Sequence, residues 1–136
     1  MDLVVDANIL FAALIKKGVT SNLLFSNELH LYAPEFLLNE FDKYRDLIIN
    51  KTERPDSEFE ELLAIYLRRI HFVPNEDIVP YLGDAIKISP DPNDFVYFAV
   101  ALKVDASIWS NDSILKSQNK IKVYSTKELL KVVQPC

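Results

Sequence analysis

Four acids stand where a chain of alternating strands and helices gathers its side chains: Asp6, Glu40, Asp94 and Asp112. Asp6 closes the apolar run Leu3-Val4-Val5, and Asp112 closely follows Ser107-Ile108-Trp109. Glu40 and Asp94 each fall on the inward stripe of a helical pattern, where a charge is expensive to bury. One acid so placed reads as a helix cap or a surface residue. Four with compatible placement point to a carboxylate cluster able to hold a divalent metal.

Each acid has a plain structural alternative. Asp6 precedes Ala7-Asn8-Ile9-Leu10 and suits a helix N-cap as well as it suits a metal ligand. Glu40 is harder to read that way. It lies three residues after Leu37 and four before Tyr44, within a stripe that continues through Phe41, Leu47 and Ile48. A Glu there lies at the edge of the core, pairs with a base or looks into a cleft. Its neighbours Asp42, Lys43 and Asp46 read as outer-face charges, and the functional reading is favoured. Asp91 as N-cap, Pro92 as first helical residue and Asp94 in the first turn make a good helix start. Asp94 nonetheless shares a face with Tyr97, Phe98, Ala101 and Leu102, which turns it inward. Asp112, within Ser110-Asn111-Asp112-Ser113, fits either a cap or the rim of a metal site. His30 and His71 have no partner at metal-ligand spacing and read as structural or surface residues. No Ser or Cys sits in a recognisable arrangement with His and an acid, and the aromatic residues, Trp109 included, read as core.

The elements that must position these acids alternate. Leu3–Val5 reads as a buried strand, followed by a helix from about Asn8 to Lys16. A second short helix is capped by Thr20 or Ser21, and Leu29–Ala33 is a strand. Pro34 opens a helix toward Ile49, and Ser57 with Glu60 forms a capping box for a helix ending near Ile70. His71–Val73 is a brief strand, and Asn75–Ile86 is helical with an interruption at Pro80. Pro92–Lys103 is a strongly apolar, central helix. Ser107–Trp109 and Lys122–Tyr124 are strands, and Thr126 caps a last helix to about Val133. This alternation implies a three-layer α/β/α fold with a mainly parallel central sheet and right-handed crossovers. In such a fold ligands bind beyond the carboxyl ends of the strands, which is where Asp6 and Asp112 fall.

At 136 residues, 49% of them hydrophobic and 26% charged, the chain reads as a single domain over residues 1–136 with a sizeable core. Charge or proline breaks every apolar stretch well short of a membrane span, so no membrane association is expected. Met1-Asp2 leads straight into a strand without a basic segment, so no signal peptide is expected. The single cysteine, Cys136, excludes an internal disulfide and agrees with a cytoplasmic setting. Only Gly18 and Gly83 occur, which excludes a Gly-rich phosphate loop and with it the P-loop and dinucleotide-binding classes. The net charge of −5 argues weakly against a broad nucleic-acid surface. Without the four acids, however, the remaining charges nearly balance, and a bound metal would invert their local effect. Small basic groups occur at Lys16 and Lys17, Lys43 and Arg45, Arg68 and Arg69, and Lys116, Lys120 and Lys122. Taken singly, each reads as a solvated face.

Over nearly its whole length the chain resembles PIN-domain proteins. Val4-Val5-Asp6-Ala7-Asn8-Ile9-Leu10 is similar to that family's opening strand, acid and Asn, and Pro34 through Glu40 and Tyr44 to the helix carrying its second acid. The most specific pieces are Asp91-Pro92-Asn93-Asp94, leading to Ala99 and Ala101, and Ile108-Trp109-Ser110-Asn111-Asp112. The resemblance implies a PIN-like sheet with acids at one rim around Mg²⁺ or Mn²⁺, and a ribonuclease acting on single-stranded RNA. It also implies the VapC type of toxin, a homodimer working with an antitoxin protein. By position, Asp6, Glu40, Asp94 and Asp112 would be the catalytic, metal-binding acids, with Asp91 auxiliary and Asn8 and Ser110 orienting ligands or water. Ala7 replaces the Thr or Ser common after the first acid, and no further acid or His follows Asp112 directly.

Two other classes compete. An Asp-nucleophile phosphatase wants a second Asp two residues after the first, where this chain has Asn8. A PIN-like module kept only for RNA binding or protein interaction is signalled by loss of acids, and all four are present.

Overall fold

The computed structural model of the chain describes residues 1–133; Cys136 lies outside the described residues. Five strands form one sheet: β1 (Asp2–Val5), β2 (His30–Pro34), β3 (Ile70–Val73), β4 (Ser107–Trp109) and β5 (Val123–Tyr124). Their order is β3-β2-β1-β4-β5, and every adjacent pair is parallel. Leu3, Val4 and Val5 are fully buried, as expected of a central strand covered on both faces. The helices are α1 (Ala7–Ile15), α2 (Val19–Leu24), α3 (Phe36–Lys51), α4 (Asp56–Arg69), α5 (Asn75–Ile78), α6 (Leu82–Ile88), α7 (Phe95–Val104) and α8 (Thr126–Leu129). A 3-10 turn at Val79–Tyr81, containing Pro80, joins α5 to α6, so the interruption falls at the expected proline. With the right-handed crossovers that parallel strands almost always use, α1 to α4 cover one face and α5 to α7 the other. In agreement, α1 packs on α2, α3 and α4, while α7 packs on α5, α6 and the middle strands.

Helix α7 explains why the second face holds. Tyr97, Phe98, Ala99, Val100 and Ala101 are consecutive and all buried, the pattern of a helix enclosed on every side. A large side chain buried there contributes about 1.5–3 kcal/mol. On the first face, the carbonyl of Leu14 near the end of α1 accepts hydrogen bonds from Thr52 Oγ1 at 2.9 Å and Arg54 Nη1 at 3.2 Å. A cation at a helix C-terminus is favourable. The clamp fixes the axis of α1, whose other end begins beside Asp6.

Several helix starts differ from the sequence expectation. Pro34 ends β2, paired in register with Val73, and α3 begins only at Phe36. Ser57 forms no capping box, because α4 already starts at Asp56 after Pro55. The capping box in the structure joins Ser125 to Glu128 at the start of α8, so Ser125 and not Thr126 is the cap, and α8 ends at Leu129. The central helix begins at Phe95 and not at Pro92. The buried stripe of α3 is also narrower than expected: Leu37, Phe41 and Ile48 are buried, while Tyr44 and Leu47 are exposed.

Candidate active site

The strand order reverses at β1. From β1 the chain winds toward β2 and β3, then crosses back to β4 and β5 on the other side. A crevice forms at such a switch point, beyond the carboxyl ends of β1 and β4. Asp6 follows β1 there, and Ser110 and Asp112 follow β4. The two segments are joined by Asp6 N–H donating to Trp109 O at 3.0 Å, and Ser110 N–H extends the pairing to Tyr124 O at 3.0 Å.

Asp6 occupies the N-cap position of α1, yet its side chain makes no capping hydrogen bond. It is buried, and its Oδ2 accepts a 2.6 Å hydrogen bond from Ser110 Oγ. Burial pushes the Asp6 carboxyl above its ordinary range, and the charge of Asp112 adds to this. The Ser110 hydrogen bond and the amides of Ala7 and Asn8 oppose it. Ser110 is itself fully buried, and its hydroxyl also accepts the Asp112 amide at 3.1 Å. One hydroxyl therefore ties the first acid to the loop that carries the last.

Asp91, Asp94 and Asp112 each offer a carboxylate oxygen, and the three oxygens lie within 4.8 Å of one another. The turn before α7 brings this about. Asp91 Oδ1 accepts Asn93 N–H at 2.9 Å, and Asp91 O accepts Asp94 N–H at 3.1 Å. Folding residues 91–94 into this turn leaves Asp94 at the N-cap of α7 without a side-chain capping bond. Burial raises its pKa to about 7, helped by the charges of Asp6, Asp91, Glu40 and Asp112. Asp112 does cap, accepting Ile114 N–H at 3.1 Å from the 3-10 turn Ser113–Ser117.

Glu40 faces the cluster from α3. Its Oε1 accepts Tyr97 O–H at 2.6 Å, and burial with the nearby Asp6 charge raises its pKa, while Tyr97 and Lys43 oppose the rise. Tyr97, read from the sequence as core alone, is the residue missed. It lies three positions after Asp94 on the same face of α7, and that spacing was the available signal. Burial and the Glu40 charge push its phenol far above the ordinary tyrosine range, so it serves only as a donor. Asn8 is exposed and lines a groove of about 440 Å³ with Phe11, Glu40 and Tyr44, so of the acids it shares this groove with Glu40. His30 lies near Asp2 at 3.6 Å and His71 packs edge-on against Tyr32, both away from the acids.

The predicted acids gather around Asp94, which feels the charges of Asp6, Asp91, Glu40 and Asp112. The group whose oxygens lie close enough to share an ion is Asp91, Asp94 and Asp112, with Asp6 and Glu40 beside it. Among the described residues, no base forms an ion pair with any of the five. Asp6 is buried and the other four acids are half-buried, and carboxylates crowded in this way repel and favour a compensating charge. An all-oxygen donor set fits a hard divalent cation and not a soft metal.

Comparison with known proteins agrees with the architecture. A family model described as the PIN domain matches residues 4–130. No curated protein matches the sequence. Among solved structures, the chain is similar to VapBC2 from Rickettsia felis, solved bound to a DNA fragment from their promoter. That match has 16% identity and a TM-score of 0.68, covering 92% of this chain and 98% of the other. It is also similar to a toxin-antitoxin complex from Klebsiella pneumoniae, at 12% identity and a TM-score of 0.65, covering 91% of this chain and 97% of the other.

Proposed function

Since the chain belongs to the PIN-domain family, we propose that it is a divalent-metal-dependent endoribonuclease, a single domain that hydrolyses phosphodiester bonds of single-stranded RNA. The observation that carries this reading is the set of carboxylate oxygens of Asp91, Asp94 and Asp112 within 4.8 Å, with no basic partner among the described residues. Asp6, Glu40, Asp94 and Asp112 are the acids assigned to metal and catalysis, with Asp91 as a further oxygen ligand. A bound Mg²⁺ or Mn²⁺ supplies a water of lowered pKa and positive charge against the scissile phosphate. The protein's own groups hold and orient. Ser110 fixes the Asp6 carboxylate and the Asp112 backbone, and Tyr97 fixes Glu40. Asn8 stands at the cleft edge, where it can meet substrate. No side chain is required as a nucleophile.

The test is cleavage of single-stranded RNA with Mg²⁺ or Mn²⁺, then with chelator, and with Asp6→Asn and Asp94→Asn. Loss of activity by orders of magnitude is expected in each case. Equal cleavage by both variants, with contaminating nuclease excluded, overturns the assignment. We extend the reading to the toxin of a toxin-antitoxin pair, a homodimer in the cytoplasm. The similarity to VapBC2 and to a toxin-antitoxin complex supports the toxin part of this reading. Among the described residues, no helix is long and apolar enough to cross a membrane. Growth arrest on expression, relieved by co-expression of a small neighbouring reading frame, is the expected result.

A further inference from the structure

An acid-lined cleft in a chain of net charge −5 repels the polyanion it is proposed to cut. Positive charge must therefore come from elsewhere on the path of the strand. The sequence places it unevenly. From Ser113 to Lys127 there are four lysines, Lys116, Lys120, Lys122 and Lys127, and no acid. This segment starts directly after Asp112, reaches the amino end of the edge strand β5, where Lys120 and Lys122 stand, and runs back along that edge. It returns to the rim where Thr126 N–H donates to Asn111 Oδ1 at 2.8 Å.

Hydrogen bonds from one side chain hold the loop together. The Gln118 amide donates to Leu115 O at 3.0 Å and Ile121 O at 2.7 Å, while its carbonyl accepts the amides of Lys120 and Ile121. Around it lies a concavity of about 470 Å³ lined by Lys116, Gln118, Asn119, Lys120 and Lys122, with Glu128 as its one acid. Lys116 pairs with Glu128. Lys120, Lys122 and Lys127 are exposed and have no ion pair among the described residues, and Lys122 Nζ lies 5.3 Å from the Tyr124 ring. Preformed cations beside an aromatic ring are the usual equipment for following a single-stranded backbone.

We infer that the β4–β5 edge, through Lys120, Lys122 and Lys127, is a phosphate-binding track for the RNA strand flanking the carboxylate cluster. The inference rests on the nuclease reading for its substrate. Its test separates the two. Binding of a labelled single-stranded RNA of about twelve nucleotides is measured in chelator across a salt series, where no cleavage occurs. Lys120→Gln/Lys122→Gln/Lys127→Gln is expected to flatten the log–log salt slope by about 2 relative to the parent. A control triple of equal charge, Lys16→Gln/Lys87→Gln/Lys103→Gln, leaves the slope unchanged. With Mn²⁺ present, the track variant is expected to cleave the long RNA with KM raised roughly tenfold while a dinucleotide is cut as by the parent. A deoxyribose strand of the same length shows the same change in slope, because the lysines meet phosphate. An unchanged slope in the track variant, equal flattening in the control, or no binding by the parent at low salt overturns the track. Absence of cleavage by the parent, with the slope change intact, overturns the nuclease reading and leaves the track standing.

Discussion

The Ser110 hydroxyl donates a 2.6 Å hydrogen bond to the Asp6 carboxylate across 104 residues of sequence, joining the end of β1 to the end of β4 inside the core. The same oxygen accepts the Asp112 amide. Ser110→Ala removes both contacts and leaves Asp6 free to rotate in a buried site. Orienting partners of metal ligands are typically worth about 10–100-fold in metal affinity. Mn²⁺ titration of the variant is expected to show a loss of that order, with stability lower by about 1–3 kcal/mol from the unsatisfied buried groups. Affinity equal to the parent's would remove Ser110 from the site.

Tyr97 stands to Glu40 as Ser110 stands to Asp6. Tyr97→Phe keeps the ring and its packing but deprives Glu40 of its 2.6 Å donor. The hydrogen bond favours the charged carboxylate, so without it the pKa of Glu40 rises further. The expected result is an activity profile shifted to higher pH at limiting Mn²⁺, with little change at saturating metal. A profile superimposable on the parent's confines Tyr97 to packing.

How much of this was legible follows from where each signal lives. Asp6 and Asp112 could be placed on one rim because short apolar strands fix chain direction, and a parallel sheet fixes which ends meet. Glu40 could be turned inward because helical periodicity carries facing information. The turn at residues 91–94 was not legible. Asp91-Pro92 satisfies the statistics of a helix start, and only the packing of α7 against the sheet decides that the helix waits until Phe95. The same limit applies at Pro34, where pairing with β3 keeps the residue in the strand. Tyr44 and Leu47 followed the stripe of α3, but periodicity cannot say how wide a face the neighbouring helices cover. Tyr97 was hidden because a buried tyrosine reads as apolar bulk until its hydroxyl finds Glu40.

In a metal site built on these carboxylates, protons would compete with the metal. Asp94 holds its proton to about pH 7, and Asp6 and Glu40 are raised as well. Metal binding to protonated ligands releases protons, so affinity depends on pH. Isothermal titration with Mn²⁺ is expected to show affinity rising steeply from about pH 5 to pH 7 and flattening above. Measurements in buffers of different ionisation enthalpy should detect net proton release below pH 7. Affinity independent of pH over that range contradicts a site built on these carboxylates.

The strain in the cluster has a sign that stability measurements can read. Asp94 has a folded pKa of about 7 against 3.8 for the free group. Below the lower value both folded and unfolded chains are protonated, and there is no penalty. Between the two values the unfolded chain ionises while the fold holds its proton, so stability falls as pH rises and the loss is complete above about pH 7. For a half-buried carboxylate reached by solvent, this amounts to roughly 1–2 kcal/mol. Asp94→Asn removes the charge, and no capping hydrogen bond is lost with it. Without metal, the variant is therefore expected to melt a few degrees above the parent at pH 8, and level with it near pH 4. Mn²⁺ should raise the parent's melting temperature by binding the native state, and raise the variant's less. A helix-starting role predicts the opposite at pH 8, since an ionised Asp94 would then favour the N-terminus of α7. Thermal melts of both proteins at the two pH values, with and without Mn²⁺, separate these outcomes. A variant that melts lower at pH 8, beside a parent indifferent to Mn²⁺, would assign Asp94 to the helix and not to the metal.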